Sequence, residues 1–243
     1  MSSTVAKRLL RLLAIAISPC LLVIAHRASA DGQQDVVARN ALRMVQEGRQ
    51  TFRFDTFGDE AFWGDTLKLH RAIEGSAFGG VGPGVSPVAA LSVGLKVDAD
   101  ALRQSLVEDV RAGRIDLNSP ATTLTLLKLN ALVGVTGFFN SDGGLKSMGI
   151  QCALCHSSVD NSFQAPGVPA GMIGHRLDGW ANRDLNVGAI VNLSPDLSAP
   201  AKLLGVDETV LRKVLLSWGP GNSMAKCSWT ERVVGRMGRR PRR

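Results

Sequence analysis

Of the chain's 243 residues, 45% are hydrophobic and 20% charged. That suffices for one substantial core or two small ones and is unlike a collagenous, low-complexity or disulfide-scaffold composition. The formal charge of +7 belongs to the ends: residues 1–30 carry +4 and residues 224–243 carry +6, which leaves −3 for residues 31–223. A mildly acidic body has no electrostatic footprint for nucleic acid.

The first segment reads as an export signal. Lys7, Arg8 and Arg11 precede Leu12 to Ala25, an uncharged run of about 14 residues, and Ala28-Ser29-Ala30 follows as a small-residue cleavage site. The run falls short of the ~20 residues that span a bilayer and contains Pro19, so a cleaved signal is expected rather than an anchor. The processed protein is then periplasmic, without an integral membrane span. Cys20 lacks the small-residue context of a lipid-attachment site and leaves with the signal.

Helical periodicity begins with Gln33 to Gln50, where Val36, Val37, Leu42, Met44 and Val45 recur among charges, and resumes over Glu60 to Glu74 with Phe62, Trp63, Leu67 and Ile73. Gly75 closes that second helix. Gly79 to Pro87 is loop by its glycine and proline content, and Gly80-Val81-Gly82 is no dinucleotide fingerprint, because no strand leads into it. Asp98 or Asp100 is expected to cap a helix running to about Gly113, with Leu102, Leu106 and Val110 on one face. Ser119-Pro120 has the pattern of an N-cap and first-turn proline, opening a helix to about Val133. Asn140 to Gly144 is a turn between Val135 to Phe139 and Leu145 to Ile150, a short hairpin. Gln164 to Gly174 is loop, and Asp207 to Trp218 is the last periodic helix, stopped by Gly219 and Pro220.

The sharpest chemical signal is Cys152-Ala153-Leu154-Cys155-His156. With four Cys and four His in the chain, chance produces it on the order of once in a thousand such sequences. Thiols at i and i+3 share a helix face and can add to the two vinyl groups of a porphyrin edge, while the His at i+4 takes the iron. A thioredoxin-type redox pair needs a βαβ pattern that is missing. A zinc site needs four ligands, and no second Cys pair exists. A plain disulfide leaves His156 unexplained. The reading is one covalently attached haem c on Cys152 and Cys155, with His156 as proximal ligand. For the distal side Met172 is the preferred candidate, in the loop Ala165 to Met172, with His175 behind it; His70 reads as a packing or surface residue. Trp180 and Arg183 could serve as electron relay and propionate clamp, or simply as core and local ion pair. No paired carboxylates or Ser/His/Asp set marks an acid–base or nucleophilic catalytic centre.

Phe52 to Trp63, Gly149 to Asp160, and Arg176-Leu177-Asp178-Gly179-Trp180 through Arg183 to Gly188 resemble exported bacterial c-type cytochromes, similar to the di-haem cytochrome c peroxidase-like proteins. The resemblance covers about residues 45 to 221 and implies electron transfer through haem c, with Cys152 and Cys155 as attachment residues, His156 as proximal ligand and a redox protein as partner. It does not establish a peroxidase, whose second haem motif is missing from the chain. Beyond Gly221 the likeness stops, and residues 222–243 turn Trp-, Met- and Arg-rich, the texture of a frameshifted tail on a truncated chain; a genuine cationic arm is the alternative. The expected architecture is all-α: a signal peptide at 1–30, an N-terminal helical region at 31–134 and a cytochrome c-like haem domain at 135–221, with long Gly/Pro-rich loops.

Overall fold

A computed structural model describes residues 35–221; the expected signal peptide and basic tail lie outside the described residues. The chain divides into two compact units, Met1–Thr51 and Phe52–Arg243. Within the first, the described residues 35–51 are helical, and Val37, Met44 and Val45 are exposed. Helical geometry extends to residue 54 (35–54, α1). Arg43 meets Glu47 one turn on, at 3.8 Å.

The second unit overturns the all-α expectation. Among the described residues 47% are helical and 12% lie in strands, and the strands form three two-stranded sheets. The hairpin expected from the sequence is one of them: β2 (Val135–Phe139) pairs antiparallel with β3 (Leu145–Ile150), Val135 opposite Ile150, with a bulge at Phe138/Phe139. Its turn is closed by Gly143 N donating to Asn140 O at 3.0 Å. The other two ladders join distant segments. β1 (Val97–Asp98) runs parallel to β5 (Ile173–Gly174), and β4 (Ser157–Val159) antiparallel to β6 (Arg176–Asp178).

The helices are shorter than periodicity suggested. The expected continuous helix from Glu60 to Glu74 is a π-helical turn, Ala61–Thr66, followed by α2 (Leu69–Glu74). The two are separated where Lys68 adopts a left-handed φ of 51°. Packing explains the wide turn: a Cβ on Gly64 would lie 1.7 Å from Ser147 Oγ of β3, so the glycine lets the turn settle on the strand. Asp98 caps a short 3₁₀ turn, Ala99–Ala101, through Asp100 N. The helix proper, α4 (Gln104–Arg111), starts later, with Arg103 at its N-cap and no side-chain cap. α3 (Pro87–Ser92) is capped by Ser86, and α5 (Pro120–Lys128) opens on its proline and ends before a left-handed Asn130. After the short α6 (Ala153–His156) come α7 (Val187–Asn192) and α8 (Ser198–Leu204), neither foreseen, and the expected last helix, α9 (Glu208–Leu216), which Asp207 caps.

One buried cluster runs from Leu67 and Leu91 through Leu127 and Leu132 to Leu154, Leu185 and Leu215. It crosses the boundary expected between residues 134 and 135, so both sides share a core. Among the described residues no helix is long and apolar enough to cross a membrane.

Candidate functional site

Cys152, Cys155 and His156 come together on one turn. Cys152 is the N-cap of α6, and His156 N donates to Cys152 O at 3.2 Å. The turn is amphipathic: Ala153 and Leu154 are buried, whereas Cys152 and His156 are exposed and Cys155 is half-buried. The support is close. A Cβ on Gly134, which has φ +83°, would lie 2.2 Å from Leu154 Cα, so only glycine lets the start of the hairpin lie on the turn. Gln151 N donates to Gly134 O at 3.0 Å and its buried amide donates to Thr136 Oγ1. Phe52 packs with Val133, Ala153 and Val159 beneath.

A strap follows from β6. Gly179 N donates to His156 O at 2.8 Å and Asn182 N to Cys155 O at 3.0 Å. Asn182 is buried, and its Nδ2 donates to Gly94 O at 2.9 Å and Leu154 O at 3.4 Å. Trp180, inside the strap, is 67% exposed.

Under the strap lies a charged cluster. Asp178 accepts from Arg53 Nε at 2.7 Å and from Ser157 Oγ at 2.9 Å. Arg176 Nε stands 3.1 Å from the same carboxylate, an ion pair too poorly aligned for a hydrogen bond. Arg176 Nη1 is 3.9 Å from the buried Asp98. Burial pushes on both acids. Asp178 nevertheless sits below the usual carboxylate range, because the bonds from Arg53 and Ser157 and the two guanidinium charges outweigh its burial. Asp98 is held above that range, since burial outweighs its bond from Asp100 N and the charge of Arg176.

The distal candidates have other partners. Met172 Sδ accepts a hydrogen bond from Lys96 Nζ at 3.3 Å, and the same ammonium reaches Gly171 O at 2.9 Å and Asp184 at 2.5 Å. His175 Nδ1 lies 2.7 Å from Asp100 in an exposed pair, and that hydrogen bond raises the imidazole above its ordinary pKa. His70 is half-buried; burial lowers its pKa and leaves Nδ1 without a hydrogen-bond partner. Arg183 is exposed, and its neighbour Asp184 pairs with Lys96. Lys96, only 2% exposed, was missed at sequence level. The signal was there: one charge inside the apolar run Val93-Gly94-Leu95-Lys96-Val97.

The donor set fits haem c. The thiols at i and i+3 and the imidazole at i+4 share one turn, on which Cys152 and His156 are exposed while Cys155 is half-buried against the core. The zinc alternative needs four convergent donors, and among the described residues no group of three or more His, Cys, Asp or Glu side chains could hold a metal ion. Compared with family models, with curated proteins and with solved structures, the chain has no match.

Proposed function

We propose that this protein is an exported c-type cytochrome that transfers electrons through one haem, bound by thioether links to Cys152 and Cys155 with His156 as the proximal iron ligand. The observation that carries the reading is the attachment turn itself, where Cys152 and His156 are exposed on a helix whose Ala153 and Leu154 are locked into the core. The bound haem supplies reversible one-electron chemistry at iron.

The chain's own residues hold and orient that group. The strap bonds from Gly179 and Asn182 occupy the carbonyls of His156 and Cys155, so the end of α6 is fixed without help from the haem. Such a fixed scaffold keeps structural change between redox states small. Export, read from residues 1–30, places thioether formation in the periplasm.

The test is redox titration of protein made with the haem-attachment machinery. A reversible one-electron wave with a c-type absorption spectrum, present in the parent and missing from Cys152→Ala/Cys155→Ala, supports the proposal. Haem bound equally well by that double variant contradicts it.

A further inference from the structure

A tryptophan left in water is unusual for its area. An indole brings some 150–250 Å² of surface to a core or an interface, yet Trp180 is 67% exposed. Its neighbours hold the backbone on either side of it. Immediately before it, Gly179 turns with φ +85° while its N–H is spent on His156 O. Two residues after it, Asn182 is bound through its backbone to Cys155 O and through its buried side chain to Gly94 O. Asp178, at the other end, is held by Arg53 and Ser157. The indole therefore stands on a turn clamped at both ends, and both clamps on the motif side fall on the residues that would attach and ligate the haem.

We infer that Trp180 is the aromatic wall of the haem site, packing against the macrocycle attached at Cys152 and Cys155. This rests on the haem reading above and adds a positioning residue that sequence spacing alone left between core packing and electron relay. The chemistry is that of two flat apolar surfaces: the exposed motif face offers Cys152 and His156 to the porphyrin, and the exposed indole, carried on a turn whose backbone is bonded to that motif, loses its contact with water when the porphyrin arrives. Trp180 makes no bond to iron and needs no titration. Its role is to cover one side of the ring and fix its orientation.

The experiment compares the haem-loaded protein with the Cys152→Ser/Cys155→Ser variant by radiolytic hydroxyl-radical footprinting read by mass spectrometry. Trp63, whose Nε1 donates to Asp59 at 3.0 Å, is the fold reference and should be oxidised equally in both. With Trp63 matched, Trp180 should be oxidised at least about fivefold more slowly when haem is attached. Equal oxidation of Trp180 in the two forms overturns the inference while leaving attachment intact. A purified chain without covalent haem overturns the underlying reading instead. A second measurement covers the case where the double variant loses its Trp63 match: in haem-loaded protein, Trp180→Ala should change the sign or halve the intensity of the Soret circular dichroism, and Trp180→Phe should largely restore it. A Soret signal indifferent to Trp180→Ala refutes the wall.

Discussion

Removing the exposed half of the Lys96–Asp184 pair should damage the fold more than removing the buried half. The Lys96 side chain is 2% exposed and that of Asp184 56%. Replacing Lys96 by Met keeps the stem's volume; what is lost is the 2.5 Å bond to Asp184, which is exposed enough to take water instead, a charged hydrogen bond to Gly171 O at 2.9 Å and the contact with Met172 Sδ. A charged hydrogen bond contributes roughly 1.5–3 kcal/mol, offset by no longer burying an ammonium, so Lys96→Met should cost about 1–2 kcal/mol. Asp184→Asn leaves the ammonium interior without its counter-charge, a defect of about 3–5 kcal/mol. The double variant should lose less than Asp184→Asn alone, a coupling larger than the ~0.5 kcal/mol expected of independent sites. Urea unfolding followed by far-ultraviolet circular dichroism reads all three. If Lys96→Met proves the more destabilising single change, or if the two effects add, the account of this pair is wrong.

Gly134→Ala should cost about 2–4 kcal/mol, from a left-handed φ and a Cβ driven against Leu154 Cα, and should lower haem attachment; unchanged thermal unfolding and haem content refute that packing argument. Met172→Ala should leave the thioether-to-iron region of the ferric spectrum unaltered, because the sulfur already accepts from Lys96; loss of a charge-transfer band on that substitution puts Met172 on the iron. Asp178 has a folded pKa below its unfolded value, so its stabilisation is complete above about pH 4 and is lost as pH falls through the folded pKa. Melting temperature measured downward from pH 5 should therefore fall less steeply in Asp178→Asn than in the parent, and identical slopes contradict the assignment.

What was legible in the sequence was what local rules write. The hairpin announced itself through Asn140 to Gly144 between two apolar runs, and Pro120 marked a helix start because its fixed φ suits the first turn, although Ser119 before it makes no side-chain cap bond. The all-α expectation failed where pairing is distant and brief. β1 and β5 are two residues each, and β4 and β6 three, too short for any alternation to show. Lys68, which breaks the Glu60 to Glu74 helix with a left-handed φ, carries no breaker signature in its residue type. The attachment turn was readable because covalent chemistry dictates its spacing. Its strap was not, because the Nδ2 of Asn182 donates to Gly94 O, 88 residues away. The contact between Met172 Sδ and Lys96 Nζ was hidden for the same reason, since Lys96 lies 76 residues earlier.

The central claim is covalent haem at Cys152 and Cys155, and intact-protein mass spectrometry after acid-acetone extraction tests it most directly. Protein coexpressed with haem-attachment machinery should carry the mass of one haem per chain, lost in Cys152→Ala/Cys155→Ala. A chain that emerges from extraction at the mass of its polypeptide alone contradicts the account.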